Sequence, residues 1–166
     1  MTTTTGKGAG PQTVPFQQKT VSQVLGEITW LMTQSPIHKQ LFIADLEWFA
    51  MPAILLEQFR VFYGPRPPGA SPETSPTPAA VAFWAFVTPD TDARLEGGAH
   101  KLRPDEWKAG TQPWLIELIA PFGAQEEIIR DLATNVFKER AFKFHITTKD
   151  GKRNVMSSGD LPKATN

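Results

Sequence analysis

The sequence predicts an α+β fold, an α/β-type mixed sheet in a single domain, and three observations carry that prediction. Two runs, VAFWAFV (81–87) and WLIELIA (114–120), are almost wholly apolar, as strands buried on both faces must be. Amphipathic stretches of helical period alternate with them, which sets helices against a sheet. The 166 residues suit one domain, and a folded chain of this length buries roughly 70% of its unfolded surface, so its core needs neither metal nor disulfide.

Residues 1–19, rich in Thr, Gly and Pro, read as a disordered leader with nothing to bury. The folded domain spans 20–157, and 158–166 read as a flexible tail. Thr20 followed by Gln23 is a capping-box pattern, and Val21, Val24, Leu25, Ile28, Leu31 and Met32 then recur at helical spacing, giving a helix over 21–33. Ser35 and Pro36 predict a second helix over 36–51, with Ser35 as its N-cap, Pro36 in its first turn and Leu41, Phe42, Leu46, Phe49 and Ala50 as its apolar stripe. Pro52 ends or bends it.

A strand is expected over 58–63, followed by a surface loop over 65–78, where six of fourteen residues are proline and cannot pair in a sheet. The buried strand 80–87 comes next, then a polar region with a short helix near 91–96 and a turn at Ala109-Gly110. The second buried strand, 114–120, is interrupted only by Glu117. After a turn at Pro121-Phe122-Gly123, residues Ile128, Ile129, Leu132, Val136 and Phe137 mark a helix over 124–138. Alternation of Phe142, Phe144 and Ile146 with Lys143, His145 and Thr147 predicts a half-buried strand, and Asp150-Gly151 turns it into a hairpin.

Composition excludes several functions. Lys plus Arg and Asp plus Glu both number 17, and no basic run is present, so nucleic acid is not an expected partner. The absence of cysteine removes a thiolate metal site and a Cys nucleophile, and it is compatible with a reducing cytoplasm, the expected location. No secretory signal or apolar segment of ~20 residues is visible, so no transmembrane segment is expected.

Strong bases are therefore few: His38, His100 and His145. As the third residue of the expected second helix, His38 would sit at the positive end of a helix dipole, where a neutral ring is favoured; an ordinary surface histidine is the plain alternative. Glu117 is a carboxylate in an apolar strand, which either faces a solvent opening or orients a base. His145 falls on the polar face of its strand, where it is expected to be solvated, and His100 in a loop, and the three histidines have no metal-ligand spacing.

The run ITWLMTQSPIHKQLFIADLEWFAMPAILLEQFRVF, with VAFWAFV, LRPDEWKAGTQPWLIELIAPFG and VFKERAFKFHI, resembles the toxin-activating lysine acyltransferases that activate RTX toxins. The most specific pieces are Ser35-Pro36-Ile37-His38, Asp105-Glu106-Trp107 and Ile119-Ala120-Pro121-Phe122-Gly123. The resemblance implies a GNAT-like acyltransferase fold and transfer of a fatty acyl group from acyl carrier protein to internal lysines of an RTX-type protoxin. Acyl carrier protein and protoxin are then partners, acyl-carrier protein serving as co-substrate with no permanently bound cofactor, and a homodimer is compatible with the family. By the same resemblance His38 matches the catalytic histidine and Ser35 the serine of that motif. Glu117 falls where the family usually has a catalytic Asp, so its reach is longer by one methylene.

Aminolysis of a thioester fits these residues, with His38 taking the lysine proton and Glu117 supporting it; an acyl-histidine intermediate is the rival route. The single glycine, Gly123, in 120–125 is a poor phosphate cradle, which favours acyl carrier protein over coenzyme A as donor. Two other functions stay open at this point: a non-catalytic adaptor that binds protoxin or carrier protein, and a coenzyme A-dependent GNAT N-acyltransferase.

Overall fold

Both faces of strand β2 (Pro78–Val87) are covered, which is why its sequence is apolar without alternation. In the computed structural model, which describes residues 18–64, 69, 71, 76–138 and 140–162, it pairs with β1 (Phe59–Tyr63) on one side and β3 (Gln112–Ile119) on the other. The sheet continues through β4 (Lys143–Thr147) to β5 (Arg153–Ser157). Every neighbouring pair is antiparallel except β3 and β4, which are parallel. The architecture is thus a mixed five-stranded sheet with helices on both faces, as expected of an α+β fold.

Val81, Phe83, Ala85 and Val87 enter the core beneath α1 (Val21–Gln34) and α3 (Met51–Leu55). Ala80, Ala82 and Trp84 enter the opposite core, beneath α5 (Gln125–Asp131) and its π-helical continuation Leu132–Val136. Helix α1 starts as the sequence predicts: Gln23 N–H donates to Thr20 Oγ1 at 3.3 Å and Thr20 N–H to Gln23 Oε1 at 2.8 Å. Its stripe of Val24, Ile28, Leu31 and Met32 is buried, and truncating Ile28 to alanine would cost about 2–5 kcal/mol.

The expected second helix over 36–51 does not form as one unit. Its place is taken by two 3-10 turns, His38–Gln40 and Ile43–Asp45, and by the short helices α2 (Leu46–Phe49) and α3. Ser35 caps the end of α1, its N–H donating to Met32 O, instead of beginning a new helix. The Asp45 carboxylate accepts the Phe42 N–H at 2.8 Å and the Trp48 indole N–H at 3.0 Å, a local capture that restarts the chain at Leu46. Phe42 and Ile43 are 78% and 87% exposed, so the apolar stripe read from the sequence is only partly a core face.

Pro78 occupies the first position of β2, where a missing N–H is tolerated, so the strand begins inside the proline-rich stretch. Of that stretch, 65–68, 70 and 72–75 lie outside the described residues, as do 1–17 of the expected leader and 163–166 of the expected tail. Ser158–Asp160, placed by the sequence in the flexible tail, form a 3-10 turn tied to Phe142 by backbone and Ser158 hydroxyl hydrogen bonds.

The Asp105-Glu106-Trp107 segment is built into the frame. Glu106 is buried, accepts both guanidinium arms of Arg94 at 2.8 and 2.7 Å from α4 (Pro89–Glu96), and accepts the Arg103 N–H at 2.8 Å. The Arg94 guanidinium holds the Glu106 carboxyl well below its ordinary range, at about 2. Gly110 lies so close to β2 that a Cβ there would stand 2.1 Å from Val87 O.

Candidate active site

Glu117 reaches its position through one extra residue in β3. The register pairs Trp84 with Leu115 and Phe83 with Glu117, leaving Ile116 as a bulge. Leu115 belongs to the core beneath α5, and strict alternation would send Glu117 there too. The bulge instead puts Glu117 opposite Phe83, on the face covered by α1 and the segment that follows it. Its side chain is about one-third exposed, and its Oε1 accepts the Leu118 N–H at 3.1 Å.

His38 meets it from the other side. Ser35, buried and extended, turns the chain after α1, and its Oγ lies 2.6 Å from His38 Nδ1. The ring packs against Phe49, centroids 5.8 Å apart, and Phe49 in turn stands edge-on to Phe83 of β2. With Nδ1 engaged by the hydroxyl, Nε2 faces Glu117 Oε1 at 3.5 Å. That separation exceeds a normal N–H···O hydrogen bond and leaves the pair able to share a donor placed between them. The helix dipole expected to act on His38 is absent, because His38 opens a three-residue 3-10 turn and the nearest helix terminus is the carboxyl end of α1.

His145 is not the solvated residue its strand pattern suggested. Its ring packs on Trp114 at 5.2 Å, and its Nε2 lies 2.8 Å from Leu95 O, so Nε2 carries the hydrogen and Nδ1 the lone pair. Burial pushes this imidazole below its ordinary value.

β3 and β4 pair only at Trp114–Lys143 and Leu115–Phe144, although both strands continue. Beyond those pairs lies a cleft of about 410 Å³, lined by Ile37, His38, Glu117, His145 and Arg153, with His100 also on its wall. The structure therefore brings His38, Glu117 and Ser35 together and adds His145 and Arg153, whose partnership no spacing in the sequence signalled. A larger groove of about 660 Å³ lies between α1, α3 and β1 and contains none of these residues. Among the described residues, no group of three or more His, Cys, Asp or Glu is placed to hold a metal, and no helix is long and apolar enough to cross a membrane.

The sequence profile of the RTX toxin acyltransferase family matches residues 17–157, which include every element from α1 to β5. The chain belongs to this family. It is similar to the lysine-acyltransferase RtxC of Vibrio cholerae, 30% identical over 70% of this chain and 71% of the relative. The RTX-II toxin-activating lysine-acyltransferase ApxIIC of Actinobacillus pleuropneumoniae is 29% identical over 84% and 83% of the two chains. The leukotoxin-activating lysine-acyltransferase LktC of a Pasteurella haemolytica-like species is 27% identical over 86% and 81%. As a member of the RTX toxin acyltransferase family, the protein is an acyltransferase, which removes the adaptor alternative as its primary role.

Proposed function

We propose that this acyltransferase moves a fatty acyl group from acyl carrier protein to internal lysines of an RTX-type protoxin, on a GNAT-like fold, in the cytoplasm. The single observation that carries the reading is the Ser35–His38–Glu117 array at the wall of the cleft between β3 and β4. The names of the relatives support a toxin lysine as acceptor. For the donor, the support is chemical: Gly123 is the lone glycine in the turn after β3, which offers little for a pyrophosphate.

In this mechanism the lysine ammonium enters between Glu117 and His38, donating one hydrogen to the carboxylate. His38 Nε2 accepts a second as the amine becomes nucleophilic. The nitrogen then bonds to the thioester carbonyl carbon. As the tetrahedral intermediate collapses, the C–S bond breaks and the proton held on His38 passes to the departing thiolate; the freed Nε2 then takes the surplus proton from the cationic amide nitrogen and returns it to solvent, leaving a neutral amide. During the interval in which His38 is cationic, Glu117 supplies the neighbouring negative charge and Ser35 Oγ accepts from Nδ1–H. Glu117 thus stands on the reacting nitrogen, and the orienting place on Nδ1 belongs to Ser35.

Intact-mass analysis of an RTX-type protoxin co-expressed with this protein tests the proposal. Acyl-sized mass increases on lysine, absent with the His38→Ala variant, are expected. An unmodified protoxin, or purified protein that uses acyl-coenzyme A and ignores acyl carrier protein, would overturn the acceptor or the donor respectively.

A further inference from the structure

Beside the cleft lies a second, smaller cavity of about 40 Å³, bounded by Phe49, His100, Leu102, Trp107, Ile116 and Glu117, with Trp48 completing its wall. Trp107 is 1% exposed, and its indole N–H is buried with no hydrogen-bond partner among the described residues. Native proteins rarely leave such a donor unpaired. On the same cavity, Glu117 uses Oε1 for Leu118 N–H and His38, while Oε2 makes no hydrogen bond among the described residues.

One water needs about 10–15 Å³ and two to four polar partners, and dry cavities are lined by apolar groups alone. This cavity exceeds that volume, and its lining includes Trp107 with its orphaned indole N–H, Glu117 and His100. We propose that it is an ordered-water site, and that Trp107 is a positioning residue whose indole N–H holds the Glu117 carboxylate through that water. The support for Trp107 is stiff: its carbonyl accepts Gln58 Nε2–H and Phe86 N–H, both at 2.9 Å, and the residue before it is the Arg94-bound Glu106. The Asp105-Glu106-Trp107 motif thereby gains a role in the reaction as well as in the frame. Because Ile116 lines the same cavity, the bulge that presents Glu117 to His38 also shapes the chamber behind it.

The inference rests on the reading that Glu117 acts in acyl transfer, and two measurements separate the two. A high-resolution crystal structure of the full chain should show one ordered water within hydrogen-bond distance of Trp107 Nε1 and a Glu117 oxygen; a dry cavity would overturn the proposal whatever the kinetics. In acyl transfer from acyl–acyl carrier protein to protoxin, Trp107→Phe keeps an aromatic ring but removes the donor. It should lower kcat roughly ten- to a hundredfold, the span of one hydrogen bond to a charged group, with KM for the donor little changed. Added to Glu117→Gln, it should cause no further loss, since its route of action is already gone. Equal losses in both backgrounds, or an unchanged kcat, would assign Trp107 to packing alone. If Trp107→Phe does not fold, the crystallographic water decides. Should Glu117→Gln itself be fully active, the catalytic reading of Glu117 fails while the water site stands or falls on its density.

Discussion

Ser35 Oγ sits 2.6 Å from Nδ1 of His38, and this contact fixes which imidazole nitrogen is left to react. The hydroxyl comes from the residue that ends α1, so the final turn of that helix sets the ring's orientation. Ser35→Ala should leave the ring rotating about its χ angles and lower kcat by roughly ten- to a hundredfold, the scale of a misplaced catalytic group. His38→Ala should abolish lysine acylation while the thermal midpoint falls only modestly, because the ring's aromatic partner is Phe49 and its polar partners, Ser35 and Glu117, sit at the wall of the cleft and not in the central core. Steady-state acylation rates and thermal melts of both variants check this.

For Glu117 the charge matters more than the length. Glu117→Asp, which keeps the charge on a side chain one methylene shorter, should retain transfer. Glu117→Gln, which keeps the shape but not the charge, should lose ~10²–10³ in rate, the scale of removing one preorganised electrostatic contact at the reacting atoms. Single-turnover rates with saturating donor distinguish the two; a Gln variant as fast as wild type would make Glu117 structural.

Acid stability should report on Glu106. Its folded carboxyl titrates at about 2 against an ordinary 4.5, so the folded state binds the proton less readily than the unfolded one. The stabilisation is fully present above about pH 4.5 and is lost as pH falls from there through about 2. Glu106→Gln should cost about 1–3 kcal/mol at neutral pH and flatten the stability curve across that acid window, measured by denaturant melts at several pH values.

Gly110→Ala should be among the most damaging small substitutions. The new methyl would meet Val87 O at 2.1 Å, and backbone of a central strand has little room to move. A loss of about 3 kcal/mol or more is expected, together with a lowered thermal midpoint, even though alanine is the smallest possible side-chain addition.

Much of this fold was legible because its signals are local. The Thr20–Gln23 box, the helical stripe after it and the two apolar strands each carry their own physical cause within a few residues. Residues 36–51 misled because helical spacing is necessary for a helix but not sufficient: Asp45 captures Phe42 N–H, and Ser35 is committed to His38. For the candidate site, the residues could be singled out but their spatial relations could not. His38 and Glu117 were singled out, yet the register that brings Glu117 opposite Phe83 depends on a one-residue irregularity with no compositional mark. His145 was read as solvated because its partner, Leu95 O, lies fifty residues earlier in the chain.

The bulge at Ile116 makes the site depend on counting as well as on chemistry. Smoothing the strand so that Ile116 stood opposite Phe83 would leave composition, net charge and every short motif intact, yet it would turn the carboxylate to the other face and aim it into the oily layer beneath α5. A relative whose β3 carried the same residues without the bulge would thus differ in reactivity while being identical in composition. For this strand, the reading frame of the polypeptide is itself a functional variable, and a designer transplanting the site onto another sheet would have to copy the offset along with the side chains.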